Sequence, residues 1–140
     1  MPEIVFWDTV AFIALGNTRD DLHQTAIKVS QQLAQAQAHV LTTDAVLIEV
    51  TNAFSKVTLR PIAWQLIEAM QASVALRAAT IVHVDPNLWQ RGWQLHRARA
   101  DKNWGLTDCI SFVVMEDYGI GRAFTYDHHF EQADFVRLLK

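Results

Sequence analysis

The feature that most constrains the fold is an alternation of short β-branched or aromatic runs with longer amphipathic segments. Strands are predicted at residues 3–7, 39–42, 80–84 and 122–125, with a further edge strand within 135–139. Helices are predicted at residues 10–15, 18–38, 45–57 and 61–79, from 86 up to a loop at 101–105, and at 107–118. Strands that alternate with helices form a parallel sheet with helices on its faces. We therefore predict an α/β protein with a mostly parallel central sheet.

Length and charge narrow the class of protein. At 140 residues with a formal net charge of -3, the chain fits one compact domain over residues 1–140, and bulk charge does not favour nucleic-acid binding. A polyanionic partner would need a local basic patch or a bridging cation. No apolar run reaches the roughly eighteen residues of a membrane span, and no basic signal-peptide segment opens the chain. The single cysteine, Cys109, excludes an internal disulfide and fits the reducing cytoplasm.

Four acids occupy positions from which they can meet. Asp8 follows the first predicted strand, Asp127 follows the fourth, Asp108 begins a helix, and Glu49 lies among apolar residues of another helix. Carboxylates about 4–5 Å apart repel by roughly 3–4 kcal/mol at an effective dielectric of about 20, so the group needs a counter-cation. Hard oxygen ligands favour Mg²⁺ or Mn²⁺. The expectation is an acidic site at the carboxyl edge of the sheet.

The acid at position 108 opens the most apolar helix of the chain. Thr107 is predicted as the N-cap of this helix, which places Asp108 in the first turn, where a carboxylate suits the helix dipole. Ser111 is predicted to share a helix face with Asp108. The remaining residues, up to Met115, are apolar nearly all round, so the helix should be buried.

The acidic positions fall within four short motifs. In chain order these are VFWDT at 5–9, IE at 48–49, LTDCISF at 106–112 and TYDHHF at 125–130. Together they resemble the PIN-domain ribonucleases, including the VapC-type toxins of bacterial toxin–antitoxin pairs. Each motif alone is a weak signal of the family. The four occur in the family's order, however, and together span nearly the whole chain. The chain departs from many members at Cys109, where a small residue is usual.

The resemblance implies a three-layer α/β/α fold and metal-dependent endoribonuclease activity. It implies that Asp8, Glu49 and Asp108 hold Mg²⁺ or Mn²⁺, and that Asp127 binds a second ion or positions water. Attack by metal-activated water would leave a 5′-phosphate product. A homodimer, an RNA substrate and a small antitoxin partner are also implied.

Other residues receive secondary predictions. Thr9, Thr107 and Ser111 are expected to support the carboxylates, or else to cap helices and form local hydrogen bonds. Cys109 is expected to be a buried structural thiol, and Asp85 a helix cap. In the fifth helix, Trp89, Trp93 and Leu95 are predicted to face inward. His128 and His129 are placed in a strand-like segment, where neighbours point to opposite sides, which favours solvent or substrate contact over metal ligation. The residues expected to contact RNA are Arg91, Arg97, Arg99, Lys102, Trp104 and His128.

Two other functional classes stay open from the sequence. One is an inert scaffold that binds RNA or protein, although such a scaffold has no use for four converging acids. The other is a receiver-type phosphoacceptor module with Asp85 after the third strand. That reading lacks the expected second acid beside Asp8 and a basic residue after the late strand, where Asp127 stands instead.

Overall fold

The computed structural model describes residues 2–140 and contains a five-stranded parallel sheet. The strands are β1 (Ile4–Trp7), β2 (His39–Thr43), β3 (Ala79–Val82), β4 (Arg122–Phe124) and β5 (Val136–Arg137). The helices are α1 (Thr9–Gly16), α2 (His23–Gln35), α3 (Asp44–Ala53), α4 (Arg60–Ala75), α5 (Pro86–Ala98), α6 (Leu106–Asp117) and α7 (His129–Gln132). The predicted α/β class, all the predicted strands and the edge strand are confirmed.

The sheet has the strand order β3-β2-β1-β4-β5, and every pair is parallel. The chain builds outward from β1 to β3 on one side and then crosses over to place β4 against the other side of β1. The order therefore reverses between β1 and β4. In open α/β sheets, the crevice beyond the strand ends at such a reversal is where ligands bind. Asp8 and Asp127 follow these two strands.

Helices cover both faces of the sheet and form two apolar cores. Phe6 faces the larger core, which α3 to α7 complete with residues such as Val50, Phe112 and Phe130. Val5 faces the smaller core, to which Ala26 of α2 belongs. Successive strand residues point to opposite faces, so neighbours in β1 serve different cores. The arrangement is the predicted three-layer sandwich.

Three predicted helices end earlier than expected. The 18–38 segment is helical only from His23 to Gln35, the 45–57 segment only to Ala53, and the 61–79 segment only to Ala75. Gln37 and Arg77 adopt left-handed conformations, with φ of 54° and 61°, which stop α2 and α4. At the other end of α2, the Asp20 carboxylate accepts the backbone N–H of Leu22 and holds a turn before the helix.

Helices α5 and α6 approach closely, and a glycine permits the contact. A Cβ built on Gly92 would lie 2.5 Å from Cγ1 of Ile110 and 3.4 Å from its Cα. The face of α5 that is buried carries Leu88 and Gly92. The prediction that Trp89 and Trp93 face inward is wrong, because they are 50% and 41% exposed.

The cap of α6 also differs from the prediction. The N-cap is Gly105, and Thr107 already lies inside the first turn. Asp108 is the third helical residue, and its Oδ2 accepts the backbone N–H of Gly105 at 3.1 Å. This is the returning half of a capping box, so the acid fixes the start of its own helix. Asp85, by contrast, caps α5 as predicted, accepting the N–H of Leu88 at 2.8 Å.

None of the helices in residues 2–140 combines the length and apolar character needed to cross a membrane.

Candidate acidic active site

Asp8 is the most deeply buried acid of the site, at 3% exposure. It follows β1 directly, and its Oδ2 accepts the hydroxyl hydrogen of Thr125 at 2.8 Å. Burial, together with the nearby charges of Asp108 and Asp127, raises the pKa of Asp8 to about 7, against the lowering effects of the Thr125 hydroxyl and the Thr9 backbone. An ion beside Asp8 would favour its charged form.

Asp108 lies at the start of α6 with a side chain that is 17% exposed. Besides the N–H of Gly105, its Oδ2 contacts Nδ1 of His129 at 3.2 Å. Burial raises the pKa of Asp108, and the charge of Asp127 adds to this, while the Gly105 and His129 contacts lower it. Because Asp8 and Asp108 each respond to Asp127, the three carboxylates share one electrostatic environment.

Asp127 is fixed by the turn that leads into α7. Its backbone N–H donates to the Thr125 hydroxyl at 3.0 Å, and its Oδ1 accepts the N–H of His129 at 2.9 Å. The same Oδ1 lies 3.3 Å from Nδ1 of His129. The Thr125 hydroxyl therefore connects Asp8 with Asp127, and the His129 imidazole connects Asp108 with Asp127.

Glu49 stands apart from the other three acids in exposure and support. It is an exposed residue of α3, and its Oε1 accepts the Thr9 hydroxyl hydrogen at 2.9 Å. Thr9 follows Asp8 directly, so this hydrogen bond attaches Glu49 to the rest of the site. A surface cavity of about 400 Å³ adjoins it, lined in part by Glu49, Ile48, Trp89 and Thr107.

The donor set fits a hard divalent cation. Asp8 and Asp108 supply oxygen ligands, and burial together with neighbouring negative charge raises the pKa of both. The ion pairs described for residues 2–140 give neither acid a lysine or arginine; Asp108 meets only His129. Oxygen-rich sites of this kind select Mg²⁺ or Mn²⁺ over softer ions.

Two supporting predictions have different outcomes. Thr9 does contact an acid of the site, as expected. Ser111 does not: its hydroxyl donates to the carbonyl of Thr107 at 2.8 Å, one turn back in α6, and is fully buried. Thr107 is half-buried and contributes that carbonyl. Cys109 is buried as predicted, and burial raises the pKa of its thiol to about 11.

Three of the residues predicted to contact RNA, Arg91, Arg99 and Trp104, make contacts within the protein. The prediction for Trp104 conflicts with its burial: it is 5% exposed, its indole N–H donates to Gln132, and Arg99 covers its ring. Arg99 also pairs with Asp101 at 3.1 Å. Arg91 forms a two-armed pair with Asp117. Arg97 and His128 are exposed and Lys102 is half-buried, so these three remain candidates.

Sequence reasoning missed two residues of the site. Thr125 was noted only within a motif, and its role depends on β4 ending beside Asp8. His129 was expected in a strand-like segment, which is wrong, because it begins helix α7. The signal available for both was the TYDHHF motif, in which each lies two residues from Asp127.

The PIN-domain family model matches residues 5–136, so the chain belongs to the PIN-domain family. The sheet order and the acids at its reversal point agree with that membership.

Comparison with individual proteins leads to the VapC proteins. The chain is 29% identical over 144 aligned residues to Mycobacterium tuberculosis VapC20, a 23S rRNA-specific endonuclease, covering 96% of this chain and 98% of VapC20. The crystal structure of VapC20, described as a Sarcin-Ricin loop cleaving toxin, matches with a TM-score of 0.82 at 26% identity, covering 97% of this chain and 99% of that one. VapBC2 from Rickettsia felis, bound to a promoter DNA fragment, matches with a TM-score of 0.64 at 13% identity over 96% of each chain, which concerns the fold alone.

Proposed function

We propose that this protein is a divalent-metal-dependent endoribonuclease of the VapC type. The observation that carries the proposal is the pair of acids, buried Asp8 and largely buried Asp108, at the sheet reversal of a PIN fold. Burial and neighbouring negative charge raise the pKa of both, and a cation beside them would favour their charged forms. A site that is incomplete without a cation suits the cleavage of a polyanion.

The residues of the acidic site have different proposed roles. Asp8, Glu49 and Asp108 would hold the ion, and Asp127 would bind a second ion or orient water. A Mg²⁺ or Mn²⁺ ion held there would activate water for attack and neutralise charge on the phosphodiester. Thr125 and Thr9 hold two of the carboxylates in place, so that little rearrangement is needed during the reaction.

RNA is the proposed substrate, and a structured ribosomal stem-loop is the first one to test, because VapC20 acts on 23S rRNA. The cavity beside Glu49 supports recognition of an unpaired base. Trp89 lines it with a half-exposed ring, the kind of surface on which unstacked bases bind. Trp89 thus replaces the buried Trp104 as the proposed stacking residue.

We further propose that the protein is the toxin of a type II toxin–antitoxin pair and acts in the cytoplasm. Support comes from the likeness to VapC20, described as a toxin. The antitoxin and a homodimer are the proposed protein partners. Exposed apolar residues on α3, α4 and α5, among them Ile48, Trp64 and Trp89, provide surface for such contacts.

The test is cleavage of structured ribosomal RNA by the purified chain with Mg²⁺, with Mn²⁺ and with chelator. We expect metal-dependent endonucleolytic products that disappear in Asp108→Asn. Asp21→Asn, which changes an exposed acid on the turn before α2, is the matched control and should cut normally. Cleavage that survives Asp108→Asn, or that chelator does not affect, contradicts the proposal. If no RNA is cut and no metal binding depends on Asp8 and Asp108, the scaffold alternative is favoured.

A further inference from the structure

The side chains of Asp127, His128 and His129 form a cluster with the geometry of a metal site. Their ligand atoms all lie within 4.8 Å of one another. Oδ1 of Asp127 is 3.3 Å from Nδ1 of His129 and 3.8 Å from Nδ1 of His128. Zinc bonds of about 2.1 Å in a tetrahedron place neighbouring ligand atoms roughly 3.4 Å apart. The cluster is therefore close to the spacing that a bound ion requires.

The local fold explains how adjacent histidines reach one point. His128 has helical dihedrals, φ -66° and ψ -15°, and His129 opens α7. Successive side chains on a helical turn diverge by about 100°, whereas on a strand they diverge by about 180°. The two imidazole rings accordingly lie 4.7 Å apart between centroids. The strand-like reading of this segment had argued against ligation, and that argument no longer applies.

Two of the three ligands are held in place before any ion binds. The Asp127 carboxylate is fixed by the N–H of His129 at 2.9 Å. His129 is held between Asp108 and Asp127 and is 19% exposed, and the next residue, Phe130, is fully buried. His128 is 65% exposed and can turn towards the ion. The cluster thus presents a fixed pair and one adjustable ligand.

The ligand types differ from those of the acidic site. Two imidazoles and one carboxylate favour Zn²⁺ and similar transition ions, whereas all-oxygen sites favour Mg²⁺. We propose that Asp127, His128 and His129 form a separate site for a transition ion of the Zn²⁺ class at the edge of the acidic site. Asp127 belongs to both sites. When the histidines bind an ion, Asp127 coordinates that ion and is no longer available to the acidic site. His129 also gives up its contact with Asp108.

A consequence for activity rests on the proposed nuclease function: Zn²⁺ should inhibit cleavage even in excess Mg²⁺. Zn²⁺ binding itself does not depend on that function. The Zn²⁺ site and its inhibitory role can therefore be refuted separately.

The experiment is a calorimetric titration of the intact protein with Zn²⁺ in excess Mg²⁺. His128→Asn removes an exposed ligand that lies near a single carboxylate, Asp127. His83→Asn is the matched control, since His83 is an exposed histidine 3.2 Å from a single carboxylate, Asp44. Losing a group that merely supports a ligand costs roughly 10–100-fold in metal affinity, so losing the ligand should cost at least as much. We expect one equivalent of Zn²⁺ in the wild type and in His83→Asn, and affinity weaker by about tenfold or more in His128→Asn.

A second readout reports the ligand atoms directly. On adding Zn²⁺, the ring ¹⁵N resonances of His128 and His129 should shift at Nδ1, while those of His83 should not. Equal Zn²⁺ affinity in His128→Asn and His83→Asn, or unshifted Nδ1 resonances in the wild type, overturns the site. If cleavage is active and the Zn²⁺ concentration that inhibits it is the same in all three proteins, the inhibitory role is overturned.

Discussion

The acidic site has an interior half and an exposed half, which differ in how the protein holds its carboxylates. In the interior half, Asp8 and Asp108 are largely buried and are held by Thr125, Gly105 and His129. In the exposed half, Glu49 is held by the Thr9 hydroxyl. The fold holds the interior acids in place without an ion. It also buries them and places negative charges close together, which raises their pKa values. Glu49 can change rotamer without disturbing the core.

The difference suggests a division between fixed and adjustable ligands. Preorganised groups stabilise a transition state best because they need no reorganisation during the reaction. We therefore expect chemistry to depend most on the interior half, and tolerance of different ions and substrates to depend on the exposed half. The predictions below test that contrast.

The largest expected effect is on cleavage after substitution of single acids. Asp108→Asn should lower the rate by about a thousandfold, the scale for removing one preorganised group. Glu49→Gln should lower it by about tenfold, with a larger effect on metal affinity than on the rate at saturating metal. Cleavage rates measured across a Mg²⁺ titration give both quantities. Equal losses in the two variants would remove the distinction between the halves.

The second effect concerns the core beneath the interior half. Phe130 is fully buried, with ring centroids 6.3 Å from Phe6 and 5.0 Å from Phe112. Phe130→Ala should lower the free energy of unfolding by about 3–5 kcal/mol, measured by urea denaturation. Val136→Ala, at a position 52% exposed, should change it little. If Phe130→Ala stays folded and cuts normally, the interior half does not depend on this packing.

The third effect is the pH dependence of stability in the metal-free protein. Burial raises the pKa of Asp8 from its ordinary value of 3.8 to about 7 in the folded state. Folded Asp8 therefore keeps its proton where the unfolded chain has lost it. Its stabilising contribution is full below pH about 4 and is lost as the pH rises through about 7.

At about 1.4 kcal/mol per pKa unit, the loss should reach a few kcal/mol. Denaturation with chelator at several pH values measures it. Asp8→Asn should flatten the profile, and Mg²⁺ should stabilise the wild type more at pH 8 than at pH 5, because its ligands must be deprotonated. If the free energy of unfolding of Asp8→Asn still falls as the pH rises, another group causes the pH dependence.

The smallest expected effect concerns substrate binding. Trp89→Ala should raise the KM for RNA by an amount equivalent to about 1–3 kcal/mol, the usual value of one base–aromatic stack, and should leave kcat nearly unchanged. Trp93 lies one turn further along α5 and stacks on His96. It is the matched control, and Trp93→Ala should leave KM unchanged. A similar rise in both variants would indicate a general effect of the exposed α5 face.

The sequence predicted the elements and their order because hydrophobic periodicity is a local signal. It also placed Asp8 after the first strand and Asp127 after the fourth, and the structure shows these two strands to be neighbours. It did not predict that His129 would contact Asp108, because that contact joins residues 21 positions apart through a turn. The exposure of Trp89 was also missed. Trp104 is covered by Phe112, Gln132 and Arg99, and no local pattern distinguishes it from the exposed Trp89.

Gly92 carries no functional group, yet the position of Asp108 depends on it. Because Gly92 has no side chain, α5 can pack closely against Ile110, which lies two residues after Asp108. A Cβ at position 92 would lie only 2.5 Å from Cγ1 of Ile110. A screen for inactive variants should thus recover substitutions at Gly92, whose defect is steric and not chemical. Such variants should be open to suppression: shortening Ile110 to alanine would make room for the added methyl group and restore the register of α6.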